Sequence, residues 1–293
     1  MREHFPTKCM QIFVIILTLT ICTGALAKPV PPDKMKPAEV VAKHLASIGS
    51  AEDLAAAQSR VVIGTAKARL NLTNTPVELA GPAQLASQGD SFLLAMLFNS
   101  NDYPFEKAGY DGKKLTVGVL TSGGRSPLGA FLTSHDAVIK QGLMGGVLSS
   151  AWPLLNMSAK NPKLSYAGTT KIDDRTAHEL KFSPRNAGEL QISLFFDTET
   201  FRHLRTEYSY SIPAGMGATP GDSASQRESR FKMIEEFSDF KPEGKLTLPH
   251  TYKIRLIIDT QDKTKTLDWA LTLSQFAFNQ QIDSAAFNVA ANK

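Results

Sequence analysis

Six histidines, one serine-glycine loop and adjacent carboxylates are the side chains of this sequence that could do chemistry. A transition-metal site needs three or four ligands at short spacing or drawn together by the fold. His4, His44, His135, His178, His203 and His250 form no H-x-x-H or H-x-x-x-H pair, so they are expected at the surface or hydrogen-bonded, with no metal and no cofactor. Ser122-Gly123-Gly124-Arg125-Ser126 has the glycines of a phosphate-cradling loop. It lacks the Gly-Lys-Ser/Thr ending and the helix-opening context that aim backbone amides at phosphate, and it reads as a flexible loop after a strand. There is no G-x-S-x-G elbow. Glu235-Glu236 lies in a strand-like stretch, where neighbours face opposite sides of the sheet and cannot share a substrate. Asp173-Asp174 lies at a turn, where such residues serve the backbone. No enzyme is expected; an envelope hydrolase assembled from distant residues stays as an alternative.

Apolar surface is what remains to build a site from. Phe92, Leu94, Met96, Phe98, Leu128, Phe131, Trp152, Leu155, Phe196, Tyr208, Phe237 and Trp269 are expected to line a hydrophobic hollow. Met and aromatic side chains suit an adaptable apolar pocket, and a close-packed core is the competing expectation. On the pocket reading, Trp152→Ala weakens ligand binding more than a change at Trp269, because Trp152 lies on a covering segment.

The elements that must position these residues alternate along the chain. Pro37 opens a helix in which Val40, Val41, His44 and Leu45 recur at helical spacing, and Gly49 stops it in a left-handed conformation. Ser50 to Asp53 resembles a capping box for a short helix through Ala57. Strands follow over Val61–Leu70, Val77–Ser87, Phe92–Phe98 and Leu115–Leu120, with Asp111-Gly112 expected as a type I′ hairpin turn. A helical insertion occupies about 126–157, articulated by Gly142, Gly145 and Gly146, as suits a flap or a plain crossover. Strands resume at Lys163–Thr169 and His178–Phe182, and Leu190 to Phe196 alternates until Phe195 breaks the pattern. Leu204 to Tyr210 alternates again, and Pro213–Gln226 reads as a long polar loop. A strand from Phe231 to Phe237, a turn over Asp239–Gly244 and a strand from Tyr252 to Ile258 form the clearest hairpin. A last strand through Trp269, Leu271 and Leu273 slips register near Phe276, and Ile282–Phe287 makes a terminal turn. The fold class is α+β, a single large curved antiparallel sheet with one apolar and one solvated face, an N-terminal helix and the insertion covering the concave side.

Residues 1–27 read as a secretory signal peptide: Arg2 and Lys8, an apolar core from Ile12 to Ile21, and Ala25-Leu26-Ala27 before a cleavage between Ala27 and Lys28. The apolar core falls short of the ~20 residues that span a bilayer. Leu19-Thr20-Ile21-Cys22 departs from a lipobox at Ile21, and Cys9 and Cys22 are the only cysteines, so the mature chain is expected to carry no thiol. A leader over 28–36 then precedes one domain, 37–293. Removal of the signal leaves 30 basic and 27 acidic residues with no run of like charge, which excludes a nucleic-acid footprint.

Several pieces, taken in order, resemble the LolA-like superfamily of periplasmic lipoprotein carriers, LppX and LprG lipid-binding lipoproteins and the regulator RseB. They are the helix Val40–Gly49, the strand-turn-strand around Tyr110-Asp111-Gly112-Lys113-Lys114-Leu115, the strand Leu204–Tyr208, Glu236–Phe240, Gly244–Pro249 and the ending Asn279–Phe287. The resemblance implies an unclosed β-barrel that binds acyl chains or lipoproteins without catalysis. It implies a periplasmic location, a lipid or acylated protein as partner and transient membrane contact. An RseB-like module contacting another envelope protein is the alternative. Arg69 and Arg125 are the positional candidates for the carrier's lid-binding arginine.

Overall fold

The computed structural model describes residues 1, 35–71, 75–184, 188–214, 227–261 and 263–290. The expected signal segment and its Ala27–Lys28 cleavage point, most of the leader and most of the 213–226 loop lie outside the described residues. Residues 34–293 form one compact unit.

Twelve strands make a single antiparallel sheet. In chain order they are β1 (Ser59–Leu70), β2 (Val77–Gln88), β3 (Ser91–Leu97), β4 (Phe105–Tyr110), β5 (Leu115–Val117), β6 (Lys163–Ile172), β7 (Arg175–Ser183), β8 (Gln191–Asp197), β9 (His203–Ile212), β10 (Ser229–Glu243), β11 (Leu246–Asp259) and β12 (Thr264–Phe278). Their spatial order, β5-β4-β3-β2-β1-β12-β11-β10-β9-β8-β7-β6, is a cyclic meander. Each strand lies beside its sequence neighbour, the first pairs with the last, and the ring is broken at one seam, between β5 and β6. The chain crosses that seam through residues 118–162, which carry α3 (Pro127–Ser134), α4 (Ala137–Lys140), α5 (Met157–Lys160) and 3-10 turns at Gly146–Leu148 and Pro153–Asn156. The architecture is therefore an unclosed barrel. Helices α1 (Pro37–Ile48) and α2 (Ala51–Ala56) precede it.

Local sequence explains the register. The break in alternation at Phe195 is a register shift between Phe195 and Phe196, and the slip in β12 is a shift opposite Ile63/Gly64. Asp173-Asp174 makes the turn between β6 and β7, with Asp173 at φ 52°. Pro82, Pro242 and Pro249 sit where their strands overhang a neighbour, so the absent N–H breaks no ladder bond on that side.

Five local expectations need correction. Gly49 ends α1 in an extended conformation (φ 174°), and a Cβ there would stand 2.8 Å from Leu246 Cδ2, so any other residue would have to displace that side chain. The Asp111 turn is not type I′. Only Gly112 has positive φ, and Asp111 Oδ1 accepts from the amides of Lys113 (2.8 Å) and Lys114 (2.7 Å), closing a four-residue loop. The expected Asp239–Gly244 turn is mostly strand, since pairing is interrupted only at Asp239 (φ 55°), resumes in the same register at Phe240↔Pro249 and runs to Glu243↔Leu246, with the reversal at Gly244-Lys245. Strand β5 stops at Val117 rather than Leu120, and β4, implied only by the hairpin, is a full strand. The convex face is not wholly solvated, because Phe287 and Val289 fold back on Ala86 and Leu93, and Val289 N–H donates to Thr116 Oγ1 at 3.1 Å.

The glycine-articulated part of the insertion is packed tightly. Gly142 has φ 76°, and a Cβ there would stand 1.9 Å from the Ala151 carbonyl oxygen. Gly142→Ala is expected to cost about 1–3 kcal/mol from backbone strain alone, with the clash in addition, read as a lower urea midpoint at unchanged slope.

Candidate functional site

The concave face of the sheet is filled by the insertion. Ten of the twelve expected lining residues, from Leu94 and Met96 on β3 to Trp269 on β12, join the main buried cluster at 5% exposure or less, and Phe98 joins it at 7%. Leu155 packs against that cluster only partly buried. Leu143, Met144, Val147, Leu148 and Trp152 of the insertion are themselves at 0–1% and belong to the same cluster. The insertion is thus the body that occupies the hollow. Helix α1 completes the packing with Val40, Val41, His44 and Ile48.

Buried polar groups of the wall hold this body by its backbone. Glu235 projects inward from β10 between Met233 and Phe237 and is fully buried. Its carboxyl accepts from the Gly145 amide (2.7 Å), the Tyr208 hydroxyl (2.6 Å) and the Tyr252 hydroxyl. Burial, only partly offset by those bonds, pushes the carboxyl up to about 7. Glu106 on β4 accepts from Tyr103 and from Ser126 Oγ at 2.6 Å, and burial raises it to about 7 as well. Ser126 caps α3 by accepting from Gly129 N–H at 2.9 Å. The Ser122–Ser126 stretch therefore does open a helix, contrary to expectation, but its capping hydroxyl is tied to a carboxyl, which suits no phosphate.

Arg60 on β1 is 1% exposed, and its Nη1 donates to the carbonyls of Val147 and Ser149. Its Nε and Nη2 have no partner, and burial lowers the guanidinium to about 10. Arg69 and Arg125, the positional candidates for an arginine that grips this segment, lie at the surface; Arg69 stands 4.0 Å from Glu78. Among the described residues, the buried arginine that hydrogen-bonds the insertion is Arg60. Ser150 N–H adds a bond to Ser87 Oγ on β2, 2.8 Å.

Two histidines cradle Trp152. Its indole N–H can only donate, so His44 Nε2 accepts it (3.3 Å) and His44 Nδ1–H donates to the Phe201 carbonyl (3.0 Å). The His203 ring stacks on Trp152 (centroids 4.9 Å) and on Phe237 (4.6 Å), with Nε2 facing the Arg205 carbonyl at 3.0 Å and Nδ1 unpartnered. Burial lowers His44 to about 4; burial and then the neighbouring His44 hold His203 well below the usual value. The remaining described histidines, His135, His178 and His250, are dispersed. No group of three or more potential metal ligands occurs among the described residues. Of the paired carboxylates, Glu235 points inward while Glu236 meets Arg205 at 2.5 Å.

A cleft of about 1070 Å³ lies at the barrel rim rather than in the hollow, and Leu155 is the one expected lining residue it touches. It runs between α1 and α2, the start of β1, the β2–β3 turn, Ser150 of the insertion and residues 279–281. No helix among the described residues is long and apolar enough to cross a membrane.

Comparison with known proteins adds the following. No protein-family profile matches the chain, and no curated protein matches it. Among solved structures it is similar to a LolA superfamily protein from Nitrosomonas europaea, at 13% identity and TM-score 0.43 over 88% of this chain and 99% of that one. It is similar to a putative outer membrane lipoprotein-sorting protein domain from Vibrio parahaemolyticus, at 12% identity and TM-score 0.42 over 86% and 96%. A DUF1329 family protein from Desulfovibrio piger follows at 9% and 0.40 over 87% and 98%.

Proposed function

We propose that this chain is a non-catalytic binder or carrier of lipid-like molecules in the cell envelope, exported to the periplasm by residues 1–27. Its hollow receives an acyl chain when the insertion over about 126–157 moves out. The cargo is a lipid or an acylated protein, acquired through transient membrane contact.

The observation that carries this reading is how the hollow is filled. A permanent core is most stable when apolar, because each buried ionisable group costs desolvation. Here Glu235, Glu106, Arg60 and His44 are all buried, and each makes a hydrogen bond to the insertion. Three of these four contacts engage the insertion's backbone or a small cap residue. That is how a wall holds a removable body: directional bonds give the docked state one geometry, and the polar wall loses them on release. The apolar surface uncovered by release suits an acyl chain, each buried CH₂ contributing ~0.8 kcal/mol.

Native mass spectrometry of the protein purified from its own envelope tests the proposal. Co-purifying lipid is the expected result. A chain that stays empty and refuses added acyl amphiphiles would overturn it. Ester hydrolysis abolished by one Ser or Asp change would replace it with an enzyme.

A further inference from the structure

We infer that the rim cleft is a head-group site for amphiphiles whose head is uncharged and bears hydroxyl or amide groups, an inference that rests on the hollow taking the acyl chain.

The first observation is charge. One residue in five of the whole chain is Asp, Glu, Lys or Arg (20%), yet none of the nineteen residues lining the cleft is. An ionised head placed there would give up water without a counter-charge, a penalty that a hydroxyl or amide escapes by finding a hydrogen-bond partner. The cleft supplies such partners. Its polar lining is made of serine hydroxyls and of the side-chain amides of Gln58, Gln88, Asn279, Gln280 and Gln281.

The second observation is unused bonding capacity. Ser150 is fixed by the hydrogen bond its backbone N–H donates to Ser87 Oγ, and its own Oγ is buried without a partner among the described residues. The side chains of Gln58 and Gln281 are exposed and make no hydrogen bond among the described residues. Asn279 and Gln88, by contrast, are spent on holding the rim: Asn279 Oδ1 accepts from Gln58 N–H at 3.0 Å, and Gln88 Oε1 from Ile282 N–H at 3.4 Å. The free groups both donate and accept, as a polyhydroxyl or amide head does. No aromatic side chain lines the cleft, so recognition there is by hydrogen bonds and not by ring stacking.

The third observation is position. Leu45, Leu54 and Leu155 form an aliphatic wall, and Ser150 and Leu155 belong to the insertion that fills the hollow. A head in the cleft therefore sits beside the insertion whose release would open the hollow. The rival is an anionic head drawn to the unpartnered nitrogens of Arg60. That guanidinium is 1% exposed and does not line the cleft, which disfavours it.

Calorimetric titration of the whole chain with three amphiphiles carrying the same oleoyl chain tests the inference: monoolein, oleate and lysophosphatidylglycerol. Monoolein is expected to bind at least about tenfold tighter than either anion, the equivalent of one good hydrogen bond. Ser150→Ala combined with Gln281→Ala is expected to shrink that ratio to within about threefold, with thermal melting confirming that the variant is folded. Oleate or lysophosphatidylglycerol binding as tightly as monoolein overturns the inference while leaving the acyl-chain reading intact. Failure of all three to bind the folded chain overturns that reading, and the inference with it.

Discussion

Trp152→Ala is expected to bind acyl-chain amphiphiles more tightly than the parent chain, by tenfold or more. Trp152 is fully buried, donates to His44, stacks on His203 and belongs to the body that occupies the hollow. Removing a buried tryptophan costs about 3–5 kcal/mol, counting lost transfer energy and the cavity left behind. Here that loss falls on the docked state of the insertion. Apparent affinity is the intrinsic affinity scaled by the fraction of molecules with an open hollow, so a weaker plug raises it. Trp269→Ala is the control: it removes a side chain of the same size from β12, which is wall and not plug. It should lower the melting temperature without raising affinity. From sequence alone the expected sign for Trp152 is opposite, because a residue on a covering flap touches the ligand. The structure places Trp152 in the volume the ligand would take. Oleate titration and thermal melting of both variants decide the matter. Binding weakened equally in both, in proportion to lost stability, would mean a permanent core.

The second large effect is on pH dependence. Glu235 and Glu106 are raised from 4.5 to about 7. The folded chain therefore keeps two protons that the unfolded chain loses near 4.5, and this stabilisation is full below that value and is lost as pH rises through 7. His44, lowered from 6.5 to about 4, and His203, held well below 6.5, act in the opposite sense. Their contribution is full above 6.5 and is lost as pH falls. Each proton of difference between the states changes stability by about 1.4 kcal/mol per pH unit. Between roughly pH 5 and pH 6.3 the protons kept by the two carboxyls oppose those lost by His44 and His203, while His135 and His178, also lowered by burial, tilt the parent profile towards greater stability as pH rises. Glu235→Gln keeps an acceptor for the Gly145 amide and removes one titration. Relative to the parent, its stability should rise with pH across that window by a further ~1.4 kcal/mol per unit. Urea unfolding at several pH values reads this directly, and parallel profiles for variant and parent would refute the assignment.

Much of the scaffold was legible because it depends on local periodicity. The inward alternation of Met233 and Phe237 defines β10, and the same parity points at Glu235. Arg60 shares the inward parity of Val62, and Glu106 that of Ala108 and Tyr110, so a polar residue at an inward strand position was the available signal for all three. His44 lies on the apolar face of α1 with Val40, Val41 and Ile48. His203 had no such signal, since the register shift at Phe195/Phe196 sets its pairing apart from the alternation of β9. The turn types at Asp111 and Asp239 were misread because side-chain bonding and continued pairing outweighed the local Gly and Asp signals.

By itself the sequence determined that the chain builds long antiparallel strands with a glycine-articulated helical insertion between them, because strand and helix periods are written in consecutive residues. Only the tertiary structure decided that β1 pairs with β12, that the ring opens between β5 and β6, and that the insertion fills the hollow instead of roofing it. Those outcomes depend on contacts between residues far apart in the chain. Arg60 meets Val147 across 87 positions and Glu235 meets Gly145 across 90, and no local pattern encodes which distant backbone group a buried charge will find.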